Sequence, residues 1–157
     1  MTLYKITLTI SGDKFQSSLV RLPSNNLKII DTWGANTPIT HKGKTLQNRV
    51  YGYGGLLLMY KRCWATTEEH REQYESDFID FIKENECSFR QYGAEEMEMY
   101  YEILHDEKEK CEVSLFSSSL LRQLAAVSIP LSLPVSVYSL ETPQFQEYLE
   151  EVNNAWK

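Results

Sequence analysis

The chain has 157 residues, of which 42% are hydrophobic and 24% charged, and these globular proportions exclude wholesale disorder. The length suits a single domain over residues 1–157, with a core over about 3–139 and a C-terminal helix over about 142–156. The net charge of −6 disfavours nucleic acid as a partner, because phosphate backbones repel an acidic surface, and it favours a basic protein.

The N-terminus and the cysteines predict a cytoplasmic protein without membrane contact. The opening residues MTLYKITLTI have no cleavage signal, and the longest apolar run, 56–60, is too short to cross a bilayer. Cys63, Cys87 and Cys111 are widely spaced and odd in number, which is typical of free thiols in a reducing compartment. Because no histidines or cysteines stand at metal-ligand spacing, we expect no metal and no cofactor.

Alternating apolar and polar residues predict a half-buried strand at 4–10. A weak helical stretch is then predicted over 15–22, stopped by Pro23, followed by a turn at 24–26 and a short strand at 27–30. The polar segment that follows, 31–48, is predicted to be a long loop with hairpin character.

Glycines punctuate the first half of the next predicted strand, 51–60, which reads YGYGGLLLMY. A phosphate-binding loop would follow a strand and open a helix, whereas these glycines precede the apolar run. We therefore interpret them as a bulge or as sites of close backbone packing.

The clearest helix is predicted to open at Thr66, where Glu69 completes a capping box, and to end near Asn85. Apolar residues at helical spacing define its buried face. The predicted inward residues are Tyr74, Phe78, Phe81 and Ile82, and the predicted outward residues are Glu72, Glu75, Asp80, Lys83 and Glu84.

Two further strands, at 96–103 and 111–115, are predicted to form a hairpin around the charged loop 105–110. Alternation directs the glutamates of both strands to one side, opposite the helices. Acidic side chains around an exposed tyrosine suit electrostatic steering and anchoring of a basic protein. The predicted partner-binding residues are Glu96, Glu98, Tyr100, Glu102, Asp106, Glu107, Glu109 and Glu112.

The C-terminal third is predicted to form a helix, an edge strand and a last helix. Ser117 or Ser118 caps the first helix, and Pro134 within the strand at 131–138 favours an edge position. The predicted apolar stripe of the first helix is Leu120, Leu121, Leu124 and Ala125. The last helix starts at Thr142-Pro143 and turns Phe145, Leu149 and Val152 inward, with Trp156 docking its end.

The element order predicts an α+β fold, a mostly antiparallel sheet with helices packed on one face, plus a C-terminal helix. Three pieces of the chain also resemble the bacterial domain-of-unknown-function 4279 family. They are the opening ITLTISGDKF, the Thr32-Trp33 pair with HKGK at 41–44, and the closing VSLFSSSLLRQLAAVSIPLSLPVSVYS. The likeness spans roughly residues 3–139. It implies the fold and a bacterial origin, and small acidic proteins of this kind are often immunity partners of polymorphic toxins.

These features predict a non-enzymatic protein that binds and neutralises a basic toxin domain, for example a nuclease of a contact-dependent inhibition or other polymorphic toxin system. No nucleophile elbow or activated cysteine favours an enzyme. Two alternatives remain. One is a small-molecule-binding or hydrolytic domain with a pocket near Trp33, Trp64 and the sheet. The other is a homodimeric structural domain paired through the edge strand at 131–137, so the chain is expected to be a monomer or a weak homodimer.

Overall fold

A computed structural model describes residues 1–22 and 26–155 of the chain. Its elements follow in the order β1 (Thr2–Gly12), β2 (Leu27–Trp33), β3 (Pro38–His41), β4 (Lys44–Val50), β5 (Gly54–Tyr60), α1 (Glu68–Gln91), β6 (Glu96–Asp106), α2 (Ser118–Ala125), β7 (Leu131–Ser132), β8 (Val135–Leu140) and α3 (Thr142–Ala155). The expected stop at Pro23, the turn residues Ser24 and Asn25, and the docking of Trp156 lie outside the described residues.

Six of the described strands form one sheet in the order β2, β5, β1, β6, with β7 and β8 following each other along the outer side of β6. The pairings of β6 with β7 and β8 are parallel, and the others are antiparallel. This confirms the α+β class with a mostly antiparallel sheet and a C-terminal helix. Strands β3 and β4 pair in a separate hairpin, which confirms the hairpin character predicted for 31–48, although β2 continues through Trp33 and the segment is not a loop throughout.

The central strands β1 and β6 carry the alternation that the sequence predicted. Ile6 pairs with Tyr101 and Leu8 with Met99, and all four are fully or almost fully buried on the face covered by α1. The intervening residues face the other way, since successive side chains of a strand point to opposite faces. This one register therefore separates an apolar face from a polar face.

Helix α1 is longer than predicted and begins one residue later. Its N-cap is Thr67, whose side chain accepts a hydrogen bond from the amide of His70, so the capping box expected from Thr66 is wrong. The helix continues past Asn85 because the buried Phe89 ring packs at 5.5 Å from Phe81, and burial outweighs the local end signal.

Glu75 is buried, which corrects the prediction that it points to solvent. Its Oε1 lies 3.2 Å from Nη1 of the buried Arg71 and accepts a hydrogen bond from the Tyr101 hydroxyl at 3.1 Å. Burial raises the pKa of the Glu75 carboxyl, while the Arg71 guanidinium and the Tyr101 hydroxyl lower it. The core thus contains an ion pair under helix α1.

The predicted strand at 111–115 does not form. Both sides of β6 are occupied, by β1 on one side and by β7 and β8 on the other. Val113, Leu115 and Phe116 instead pack against the core as an irregular segment, and Phe116 has a φ of +61°. These alternating apolar residues are partly buried by packing on the core, and the backbone forms no strand hydrogen bonds.

The two shorter helices lie on opposite faces of the sheet. Ser117 caps α2 as predicted, and Leu120 and Leu124 bury against the main core, whereas Leu121 and Ala125 are exposed. Helix α3 begins at Thr142 and covers one end of the other face, where Leu3, Leu104, Phe145 and Val152 form a second apolar cluster.

The weak helix expected at 15–22 is reduced to a single 3₁₀ turn at Ser17–Leu19. Among the described residues, no helix combines the length and the apolar composition that crossing a membrane requires.

Candidate protein-binding face

The polar face of the sheet is left uncovered by α1 and α2 and holds four of the predicted site residues. Glu96, Glu98, Tyr100 and Glu102 alternate along β6 with the buried residues, and successive members lie about 6.8 Å apart. The prediction that these four share one face opposite α1 is confirmed. We define this open face by its residues on four strands: Lys5, Thr7, Thr9, Ser11, Glu96, Glu98, Tyr100, Glu102, Ser132, Ser136 and Tyr138.

The three glutamates of the open face differ in their partners. Glu102 forms an ion pair with Lys5 of the neighbouring strand, with 3.2 Å between Nζ and Oε2. Glu96 accepts a hydrogen bond from the Ser11 hydroxyl at 3.3 Å. Glu98 is exposed and makes no hydrogen bond or ion pair with any described residue. Glu98 is therefore the carboxylate of this row that is most available to a partner.

Two tyrosines adjoin the glutamates towards the edge of the sheet. The Tyr100 side chain is the main influence that raises the pKa of the Tyr138 hydroxyl, and Tyr138 stands on β8 opposite Leu104 of β6. Tyr138 remains largely exposed. This pair offers an aromatic surface with a polar tip beside Glu102.

An aromatic cluster of Trp33, Tyr51 and Tyr53 stands at the opposite end of the open face from α3. The Trp33 ring is stacked on Tyr51 with 5.4 Å between centroids, and it contacts Tyr53 edge-on at 6.1 Å. It lies directly on Gly55, where an added Cβ would come 2.1 Å from the Trp33 ring. At Gly54 an added Cβ would come 2.0 Å from the Phe15 carbonyl oxygen, which confirms close backbone packing there, whereas nothing lies within 4 Å at Gly52.

Tyr53 joins the aromatic cluster to the glutamates. It lines a pocket of about 260 Å³ together with Thr9, Ser11, Glu96, Met97, Glu98 and Ser132. No sequence pattern predicted this juxtaposition, because Tyr53 and Glu98 are distant in sequence and come together only through the pairing of β1 with both β5 and β6.

The other four predicted site residues are not part of the open face. Asp106 is buried at the end of β6, where it accepts hydrogen bonds from the Lys108 amide at 3.0 Å and the Thr142 hydroxyl at 2.8 Å. The backbone hydrogen bond from Lys108 is the main cause that lowers the pKa of Asp106. Asp106 thus fixes the turn after β6 and the start of α3.

Glu107, Glu109 and Glu112 lie in and after that turn, all exposed. Glu109 pairs with the amino group of Met1, and Glu112 pairs with Lys110. The placement of Glu112 beside β6 was wrong because the strand that would have carried it does not form.

The pocket expected near both tryptophans is not built from both. Trp64 lies at the α3 end of the open face, with its ring 5.3 Å from Lys5 Nζ and 6.4 Å from Tyr148. Trp33 lies beside Gly55, which pairs with Ser11, about 20 Å further along β1 than Lys5.

A pocket of about 540 Å³ does lie beside Trp33. Its lining comes from the segments 14–18 and 32–35 with Thr37, and among these described residues there is no carboxylate, histidine or cysteine. Such a lining can hold a polar molecule through hydroxyls and Lys14 but offers no acid–base pair for hydrolysis.

The cysteines and histidines do not gather. Burial raises the pKa of the Cys63 thiol, whose Sγ lies 3.5 Å from the sulfur of Met59. Within the part of the chain that the structure describes, no three histidine, cysteine, aspartate or glutamate side chains are grouped to hold a metal ion.

Comparisons with protein-family models, with curated proteins and with solved structures find no match for this chain. The fold and the open face define it as an α+β protein with a half-uncovered sheet. The resemblance to the domain-of-unknown-function 4279 family stays a prediction.

Proposed function

We propose that this chain is a non-enzymatic protein-binding protein that receives a basic partner protein on its open face. In its most specific form, the proposal is a cytoplasmic immunity protein that binds and neutralises a basic toxin domain. The observation that carries it is the position of Glu98, which is exposed and unpaired among the described residues in the middle of an uncovered row of polar side chains.

The geometry of the row supports recognition of a basic surface. Side chains at alternate positions of a rigid strand have a fixed spacing of about 6.8 Å, so Glu96 and Glu98 present two carboxylates at a defined separation. Lysine or arginine side chains of a partner can meet both, and the ordered sheet loses little conformational entropy on binding. The flanking threonine and serine hydroxyls supply further hydrogen-bond partners.

Tyrosines on both sides of the carboxylates support a protein partner over a free cation. Tyr53 stands at one end and Tyr138 at the sheet edge, both exposed. Tyrosine is enriched at binding hot spots, because it buries a large ring with few rotatable bonds and keeps a hydroxyl for hydrogen bonding.

The charge of the whole chain supports the toxin form of the proposal. A net charge of −6 speeds encounter with a basic domain, and fast capture matters for a lethal partner. On a nuclease, the carboxylates would occupy positions where lysines and arginines otherwise meet phosphates. The toxin itself comes from the family resemblance and remains part of the proposal.

The experiment is a binding titration against the purified product of the adjacent gene. We compare the wild type with Glu96→Lys/Glu98→Lys on the open face. The matched control is Asp80→Lys/Glu84→Lys on the exposed side of α1. Both double variants replace two carboxylates with two lysines, so they change the net charge by the same amount and differ only in the face they alter.

We expect the open-face variant to bind at least about tenfold more weakly, which corresponds to roughly 1.4 kcal/mol, and the α1 variant to bind within a factor of a few of the wild type. An equal loss of affinity in both variants would mean that the partner responds to net charge and not to the open face. Unchanged binding by the open-face variant would contradict the proposal.

A further inference from the structure

Strand β8 leaves one side of its backbone free at the edge of the sheet. Among the strands that the structure describes, it is hydrogen-bonded to β6 alone. The Tyr101 amide donates to the Pro134 carbonyl and the Glu107 amide to the Leu140 carbonyl, both at 2.9 Å. Because carbonyls alternate along an extended chain, the even-numbered residues point their backbone groups at β6, and Val135, Val137 and Ser139 point theirs outward.

Pro134 does not protect this edge. Proline blunts an edge strand when its missing N–H removes an outward donor. Here the Pro134 carbonyl points at β6, so the missing donor belongs to the inner side and the outward row of β8 is intact. The other common protection is charge, and the ten residues 131–140, LSLPVSVYSL, contain no charged residue in a chain that is 24% charged.

Strand β8 exposes large side chains on both faces of the sheet. Val135 and Val137 are 39% and 54% exposed on the α1 side, and Tyr138 is 47% exposed on the open face. A neutral strand that exposes β-branched residues, with outward backbone groups unpaired, favours the addition of another strand.

We propose that β8 pairs with β8 of a second copy of this chain, antiparallel and centred on Val137. In this register Val137 faces its own counterpart and its two backbone groups bond across the dyad, while Val135 faces Ser139 of the partner copy. On the open face, each Tyr138 ring lies opposite the partner copy's Ser136. The pattern is self-complementary, because a large side chain meets a small one and the two central valines cover each other.

Charge favours a second copy over a basic strand as the occupant. The segment brings no charge against itself, so two acidic chains can meet there, and a basic strand would find no carboxylate on β8. The glutamate row of each copy stands on β6, one strand inward, and about 14 Å of sheet separates the two β6 strands. Screening at physiological salt acts over about 8 Å, so repulsion across the joint is weak.

The joint consists mainly of one strand pair and buries less surface than a standard stable interface. The dimer is therefore weak and depends on concentration. It occupies only the Ser136 and Tyr138 edge of the open face and leaves the glutamate row on β6 of both copies free.

The test is the molar mass of the full chain by light scattering across a range of concentrations, for the wild type, Val137→Lys and the control Val50→Lys. Val50 lies on the β3–β4 hairpin and is 50% exposed, close to the exposure of Val137. We expect the wild type and Val50→Lys to rise from 18.3 kDa towards twice that mass, and Val137→Lys to remain at 18.3 kDa. A wild type that stays at the monomer mass up to its solubility limit overturns the proposal, as does a Val137→Lys chain that dimerises equally.

Hydrogen exchange on the wild type gives a second readout that needs no variant. At low concentration the amides of Ser136 and Tyr138 should be protected by β6, while those of Val137 and Ser139 exchange fast. At high concentration the second pair should become protected as well. Persistence of the alternating pattern at a concentration where the chain is dimeric would place the contact elsewhere and overturn the proposal.

Discussion

The two faces of strand β6 share one backbone but differ in the burial and the polarity of their side chains. On the α1 side, Met97, Met99 and Tyr101 are fully or almost fully buried, and the hydroxyl of Tyr101 bonds to a buried carboxylate. On the open face, Glu96 and Glu98 stand in solvent at the same spacing. One register thus gives stability to one face and leaves the other free to change, which is how a scaffold can hold a binding surface without depending on it.

The largest expected effect follows from this contrast. Phe78 of α1 is fully buried over the sheet, and Phe78→Ala should lower the free energy of unfolding by about 3–5 kcal/mol, because it removes a ring and leaves a cavity. Glu98→Ala on the open face should change it by less than about 0.5 kcal/mol. Urea denaturation of both variants measures the difference. Comparable losses would mean that the open face is structural.

The buried ion pair predicts a pH-dependent loss. Arg71→Met leaves the Glu75 carboxylate buried without its cation and should cost about 3 kcal/mol at neutral pH. Burial already raises the pKa of Glu75 and Arg71 opposes that rise, so the variant raises it further. A group whose folded pKa is raised destabilises the native state as pH climbs through that pKa. Denaturation at several pH values should therefore show the gap from the wild type widening as pH rises from the folded pKa of Glu75 in the wild type to its higher pKa in the variant, a window that lies above the unfolded value of about 4.3.

The control for this prediction is Arg71→Met/Glu75→Gln, which removes the unpaired charge. It should recover part of the lost stability and show a gap from the wild type that no longer widens with pH in the same way. A gap in Arg71→Met that is constant with pH would contradict the assigned role of Glu75.

The glycines under the aromatic cluster give an intermediate effect. An alanine Cβ at Gly55 would come 2.1 Å from the Trp33 ring, so Gly55→Ala should displace that ring and cost about 1–3 kcal/mol. At Gly52 nothing lies within 4 Å of an added Cβ, which makes Gly52→Ala the matched control. Urea denaturation followed by tryptophan fluorescence checks both. Equal stability of the two variants would argue against the packing of Trp33 on β5.

The smallest expected effect is a difference in stability between substitutions of two neighbouring threonines, Thr66 and Thr67. Thr67→Ala should lower the free energy of unfolding by about 1 kcal/mol, because the side chain caps the His70 amide. Thr66→Ala should cost less, since Thr66 caps no helix amide. Thermal unfolding of the two variants decides between the cap in the structure and the capping box expected from the sequence.

Local patterns predicted the strands and faces that depend on neighbouring residues. Alternation placed Glu96, Glu98, Tyr100 and Glu102 on one face, because a strand has a period of two wherever it pairs. The same rule failed for Glu112, since alternation at 111–115 also fits an irregular segment packed on the core. Whether such a segment joins a sheet depends on which strand edges are vacant, and that is a property of the whole fold.

Long-range contacts set the remaining differences. The sequence predicted that α1 ends near Asn85, but the helix continues because Phe89 is buried in the main core. The proximity of Tyr53 to Glu96 and Glu98 arises from three strands that meet only in the folded sheet. Predicting it needed the strand order β5, β1, β6, which no single segment encodes.

Carboxyl footprinting of the wild-type chain, with and without the product of the adjacent gene, tests the binding surface most directly. A carbodiimide couples an amine to exposed carboxylates, and mass spectrometry reads the labelling of each one. We predict that Glu96 and Glu98 lose labelling when the partner is present, while Asp80 and Glu84 on α1 keep it. Protection of the α1 carboxylates with unchanged labelling of Glu98 would contradict the assignment of the open face as the binding surface.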